Sequence, residues 1–76
     1  MSDRLFNVFA EELGVDPGTL SEESSPETVE QWDSLAAMRL VAAIEEEFDT
    51  RLSTAEIMKM RTIGIARAVL VGKGVL

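Results

Sequence analysis

Two adjacent side chains that could carry chemistry, Asp33 and Ser34, lie where a long polar segment meets a predicted helix. Ser34 would present an exposed hydroxyl beside unpaired backbone N–H groups and the positive end of a helix dipole. This location favours an anion, and in particular a phosphate attached to Ser34 or resting on it. For an arbitrary Asp-Ser pair the simpler interpretation is a helix N-cap, because both residue types are preferred there.

Composition excludes most ways in which Ser34 could act as a catalytic nucleophile. The 76 residues contain no Cys and no His, which removes disulfides, thiolates, Cys/His zinc sites and the commonest base at neutral pH. The sequence also lacks a Gly-x-Ser-x-Gly turn and an Asp-x-Asp-x-Asp-Gly calcium loop. We therefore expect a protein that is not an enzyme, with no catalytic residue and no metal site, although weak divalent binding to the acidic face stays open.

Charge is divided unevenly along the chain, whose formal net charge is −7. Residues 1–50 hold 13 acids and two bases, a balance of −11, whereas residues 51–76 hold one acid and five bases, a balance of +4. This distribution disfavours nucleic acid, which is bound mainly through Lys and Arg, and predicts partners with basic surfaces. Residues 1–3 do not resemble a cationic leader, and no apolar run approaches the ~18 residues of a membrane span. We expect a cytoplasmic monomer.

Apolar spacing and capping residues predict four helices. The first covers residues 3–13, with Ser2 as its cap and Gly14 at its end; the second covers residues 34–48 and is capped by Asp33 or Ser34. A third, short helix at about 54–60 follows a Ser53-Glu56 capping box. The last begins after Thr62 and ends near Gly72, before a frayed tail at about 73–76.

Residues 15–31 form a long loop in this prediction, because Asp16-Pro17-Gly18 is a turn signal and Ser25-Pro26 suits the start of a single helical turn. We expect four apolar side chains to hold the loop on the core: Val15, Leu20, Val29 and Trp32. Trp32 should be partly buried, with its indole N–H at a polar edge. The predicted fold is an all-α single domain over residues 1–76, a small four-helix bundle with a short third helix.

The sequence Trp32-Asp33-Ser34-Leu35, with a helix that ends in Ile44-Glu45-Glu46-Glu47-Phe48-Asp49, resembles the acyl carrier protein family. In that family Asp-Ser-Leu opens the second helix, and an apolar, then glutamate-rich stretch closes it. The resemblance covers roughly residues 5–70. It implies a discrete, type II carrier in which Ser34 is esterified by 4′-phosphopantetheine, transferred from coenzyme A by a separate magnesium-dependent phosphopantetheinyl transferase. The terminal thiol of that group would hold acyl intermediates as thioesters.

The resemblance also implies a partner-binding surface along the second helix, beside Ser34. Its candidate residues are Asp33, Leu35, Met38, Arg39, Glu45, Glu46 and Glu47. We favour a core position for Leu35, and leave Met38 open between core and contact surface. The glutamates are consistent with a solvated helix face and with steering of basic partners, and Glu47 is also placed to pair with Arg51.

Four alanines of the second helix have two interpretations. Helix propensity and close packing are favoured, and space for an acyl chain between helices is the alternative. The alanines are Ala36, Ala37, Ala42 and Ala43.

Several positions depart from the family pattern and bear on the pathway. Trp32 stands where glycine or a small residue is frequent, Ala36 and Arg39 stand where carriers of fatty-acid synthesis usually have acids, and the last two helices are net basic. A polyketide-like, modified-acyl or aminoacyl pathway is therefore at least as consistent as fatty-acid synthesis. The expected partners are acyl-loading, condensing or tailoring enzymes with basic surfaces.

Two alternatives to an acyl carrier stay open. One is an aminoacyl or peptidyl carrier, although Asp33 favours the acyl type because peptidyl carriers more often have Gly-Gly-x-Ser-Leu. The other is an unmodified acidic helical adaptor, in which Ser34 is only a cap and Ser34→Ala costs about 1 kcal/mol of stability.

Overall fold

The computed structural model describes residues 3–76. It contains α1 (Arg4–Leu13), a 3₁₀ helix (Pro17–Thr19), α2 (Ser34–Glu47), α3 (Thr54–Lys59) and α4 (Ile63–Gly72). No strand occurs in this part of the chain. The all-α fold, the long loop between α1 and α2 and the short third helix are confirmed. The 3₁₀ helix was predicted only as a turn.

Side-chain caps fix where the helices begin. The Asp3 carboxylate accepts hydrogen bonds from the N–H groups of Leu5 and Phe6 and caps α1; Ser2, the predicted cap, lies outside the described residues. The capping box of Ser53 and Glu56 at α3 is confirmed. Thr62 caps α4, as predicted.

The buried face of each long helix is a row of apolar residues spaced three or four apart, as expected for an amphipathic helix. In α2 the fully inward positions are Ala36, Leu40 and Ile44. Leu35, for which a core position was favoured, and Met38, which was left open, both face solvent. Because α2 is apolar on several sides, the pattern predicts the helix but does not fix which side is buried.

The long loop is held on the core by the side chains predicted to do so. Leu20 is buried, and Val15 and Val29 are partly buried against the core. Trp32 is only 5% exposed, deeper than the partly buried position predicted, and its ring meets Phe9 edge-on with centroids 5.2 Å apart. These contacts therefore hold the loop in a defined position between α1 and the start of α2.

A second set of contacts ties the loop to α4 and to the start of α1. The Arg67 guanidinium pairs with Asp3 at 2.7 Å and with Glu22 at 3.0 Å. The Gly64 N–H donates to the Glu22 carbonyl oxygen at 2.9 Å. Burial alone would raise the pKa of the Asp3 carboxyl, but the hydrogen bonds from the Phe6 N–H and Arg67 outweigh it and hold that pKa below its usual value. We call Asp3, Glu22 and Arg67 the clasp.

Candidate functional site

The start of α2 is built by Asp33, which is extended at φ −100°, ψ −174°. Its carboxylate Oδ1 accepts the Ala36 N–H at 2.8 Å, and its carbonyl oxygen accepts the Ala37 N–H at 2.9 Å. These two bonds make Asp33 the N-cap and Ser34 the first residue of the helix. Of the two capping candidates, Asp33 is therefore the cap.

Ser34 is exposed and is left free by this arrangement. Within residues 3–76 its hydroxyl makes no hydrogen bond, and neither its own N–H nor that of Leu35 has a hydrogen-bond partner. Unpaired first-turn N–H groups and the helix dipole together favour an anion at this end of α2. Ser34 therefore combines an exposed side chain with two unpaired N–H donors at the start of α2.

Leu35 and Met38 form an apolar patch beside Ser34 on the outward side of α2. Leu35 is 63% exposed and Met38 is 71% exposed. The core position favoured for Leu35 is wrong, because α2 turns the Ala36 row inward and carries Leu35 to the opposite side. Because positions three apart in a helix are neighbours on its surface, these two side chains leave apolar surface uncovered beside Ser34.

The three glutamates at the end of α2 have different environments. The Glu45 carboxylate accepts the Leu52 N–H at 2.8 Å and so fixes the link to α3. Glu47 pairs with Arg4 of α1 at 3.1 Å, so the predicted pair with Arg51 is wrong. Glu46 is exposed, which leaves its charge available to other molecules.

An open groove of about 550 Å³ lies between α1 and α2. Ala42, Ala43 and Val8 line it together with charged side chains that include Arg39, whose guanidinium lies 4.0 Å from Glu12. Ala36 does not reach the groove, because it is fully buried by close helix packing. The charged rim distinguishes this groove from an apolar chamber for an acyl chain.

Two structural features are absent from residues 3–76. No group of three or more carboxylates there is arranged to hold a metal ion. No helix in it is long and apolar enough to cross a membrane.

These features define a class of protein: a small helical bundle with an exposed serine at a helix N-terminus, beside two exposed apolar side chains. The hydroxyl of that serine makes no hydrogen bond within residues 3–76. Comparison with known families matches residues 3–64 to the family described as PP-binding, phosphopantetheine attachment site. The match covers α1, the loop, α2, α3 and the first two residues of α4. The chain belongs to this family and is a phosphopantetheine carrier protein, whose prosthetic group is covalently bound 4′-phosphopantetheine. Proteins of this class act with a phosphopantetheinyl transferase and with biosynthetic enzymes.

Proposed function

We propose that Ser34 carries the 4′-phosphopantetheine group and that this chain delivers acyl intermediates, held as thioesters, to the enzymes of a biosynthetic pathway. The observation that supports this most is that Asp33 caps α2, which leaves the exposed Ser34 hydroxyl with no structural task. When bound, the group supplies a terminal thiol. The chain has no cysteine that could supply one.

The chain's own residues orient and present this site. Asp33 fixes the start of α2, and the free N–H groups of Ser34 and Leu35 favour the negative charge of a phosphodiester there. The sequence has no His to activate the serine hydroxyl, so the proton would be removed by a group of the transferase. In this proposal the protein is a substrate of other enzymes and not itself an enzyme.

Partners would approach the outward side of α2. Leu35 and Met38 would supply apolar contact, and the exposed acids Glu46 and Asp49 would steer basic partner surfaces. Such steering raises the association rate without demanding tight binding, which suits a carrier that visits several enzymes. We infer a cytoplasmic monomer served by a phosphopantetheinyl transferase and by acyl-loading, condensing or tailoring enzymes.

The pathway is inferred from the departures at α2. Ala36 is apolar and buried, and Arg39 is basic and exposed. Neither residue therefore offers the acidic contact usual in carriers of fatty-acid synthesis. We favour a polyketide or other specialised acyl pathway, with an aminoacyl load as the alternative. Mass spectrometry of the protein from its native host, with the thioester preserved, would identify the cargo.

Thiol titration tests the carrier function directly, because the unmodified chain contains no thiol. After incubation with coenzyme A and a promiscuous phosphopantetheinyl transferase, the protein should gain one titratable thiol per chain. Ser34→Ala should gain none. Ser21→Ala, which removes another exposed serine, should gain one like the wild type. A thiol in Ser34→Ala, or none in the wild type, would contradict the proposal.

A further inference from the structure

We propose that α3 carries a second docking surface, complementary to an acidic, partly apolar patch on a partner protein. The α3 surface consists of Arg51, Ile57, Met58, Lys59 and Arg61. The inference deepens the proposed function, since it concerns the partners of the same carrier. It rests on different residues from the Ser34 site, and its test does not require Ser34 to be modified.

The first observation is that α3 buries none of its own residues. Met58 is 73% exposed and Ile57 is 38% exposed. The helix is instead attached through buried Leu52, which precedes it, and partly buried Met60, which follows it. Because core packing does not need Met58, its exposed side chain is available to a partner, and Met adapts readily to different apolar surfaces.

The second observation is that the charges of residues 51–61 that are not held in a close ion pair are positive. Arg51, Lys59 and Arg61 are exposed, and across residues 3–76 the first two make no ion pair. Arg61 has one long contact, 3.9 Å to Glu27, in which both side chains are about three-quarters exposed. Such a pair contributes little, so all three cations are free to meet acidic groups.

The single acid within α3 does not cancel this charge. The Glu56 carboxylate accepts the Ser53 N–H at 2.8 Å and pairs with Lys73 at 3.1 Å. The Ser53 hydrogen bond and the neighbouring Lys73 ammonium lower the pKa of Glu56, which therefore stays ionised and satisfied within the chain. The α3 surface is thus locally basic in a protein whose net charge is −7.

Charge complementarity favours an acidic protein over an anionic membrane or a second copy. The balance of −11 over residues 1–50 would repel an anionic bilayer. Two exposed apolar side chains on a six-residue helix are also far fewer than a membrane-surface helix uses. A second copy would have to place the acidic end of its α2 on α3. Such a contact is head-to-tail, so each pair of chains would leave one α3 surface and one acidic α2 end uncovered.

The consequence is that one small protein presents two apolar patches on segments of opposite net charge. Residues 33–49, which carry Leu35 and Met38, hold five acids and one base, whereas residues 51–61, which carry Met58, hold one acid and three bases. A partner that fits one surface is repelled by the other, and like-charge contact is an effective way to reject wrong partners. The α3 surface would therefore select a subset of partner enzymes.

Two synthetic amphipathic helical peptides with the same leucine face test this, one flanked by Glu and one by Lys. Each is titrated into the ¹⁵N-labelled full chain while amide shifts are recorded by NMR. The Glu peptide should shift the amides of residues 51–61, and the Lys peptide those of α2. Lys59→Glu should weaken binding of the Glu peptide by at least about tenfold, and it should not weaken binding of the Lys peptide.

Matched variants separate docking from folding and from modification. Met58→Asn, at a side chain 73% exposed, should weaken binding of the Glu peptide, whereas Val71→Asn, at a site on α4 that is 55% exposed, should not. Both variants should unfold near the wild-type temperature. Ser34→Ala should bind the Glu peptide like the wild type, because Ser34 is not part of the α3 surface, so failure of the Ser34 assignment leaves this readout intact.

Four results would overturn the proposal. The first is a Glu peptide that leaves α3 unshifted, and the second is equal binding of both peptides at α3. The third is binding of α3 to vesicles of equal phosphatidylcholine and phosphatidylserine instead of the Glu peptide. The fourth is sedimentation that shows self-association through α3.

Discussion

Replacement of Asp33 by alanine should destabilise the protein far more than replacement of Ser34 by alanine. The Asp33 carboxylate accepts the Ala36 N–H at 2.8 Å, whereas the Ser34 hydroxyl makes no hydrogen bond within residues 3–76. Asp33→Ala therefore removes the cap of the longest helix. Ser34→Ala removes only an exposed hydroxyl and introduces the residue with the best helix propensity.

The magnitudes follow from these contacts. Loss of an N-cap costs about 1 kcal/mol, and loss of a carboxylate at an exposed helix N-terminus costs about a further 0.3–1 kcal/mol. For a domain of this size the sum of about 1.5 kcal/mol lowers Tm by about 6–12 °C. Ser34→Ala should stay within about 0.5 kcal/mol of the wild type.

Urea unfolding followed by far-ultraviolet circular dichroism would measure both variants, with Asp33→Asn as the matched control. Asn keeps the capping oxygen and loses only the charge, so its cost should be about 0.3–1 kcal/mol. The account of the site is refuted if Ser34→Ala destabilises the protein as much as Asp33→Ala does. That result would make Ser34 the cap, and it would favour the alternative in which the protein is an unmodified adaptor.

Three other predictions concern the core and the clasp. Gly64→Ala places a Cβ 3.0 Å from the Glu22 carbonyl oxygen and should destabilise by about 1–3 kcal/mol, whereas Gly72→Ala, with nothing within 4 Å, should be neutral or stabilising in the same urea experiment. Asp3 has a lowered pKa when folded, so its contribution is present above its unfolded value of 3.8 and is lost as pH falls through the folded value. The stability gap between wild type and Asp3→Asn should therefore hold steady above the unfolded value of 3.8 and shrink as pH falls below it, and a constant gap would contradict the clasp. Trp32→Ala should cost about 3–5 kcal/mol, measured by thermal unfolding; a loss below about 1 kcal/mol would show that Trp32 does not hold the loop.

Local signals predicted most of the fold. The helices, the Ser53-Glu56 capping box and the stop at Gly14, with φ 70°, depend on residues close together in sequence, and such patterns are readable without tertiary structure. The resemblance at Asp33 and Ser34 likewise predicted the family that the comparison then showed.

Features that depend on residues distant in sequence were missed or wrong. Arg67 and Asp3 are 64 positions apart, so no pattern could pair them. Glu47 was expected to pair with nearby Arg51. Because α1 packs on α2, the Arg4 guanidinium instead lies 3.1 Å from the Glu47 carboxylate. Leu35 was misassigned for a similar reason, because only the position of neighbouring helices decides which side of an apolar helix is buried.

The most direct test of the central claim is localisation of the modification by tandem mass spectrometry. The holo protein, made with coenzyme A and a phosphopantetheinyl transferase, would be digested and its peptides fragmented. We expect the mass of one phosphopantetheinyl group on Ser34 and on no other residue. The same mass on a different serine, or no mass gain in a protein shown to be folded, would contradict it.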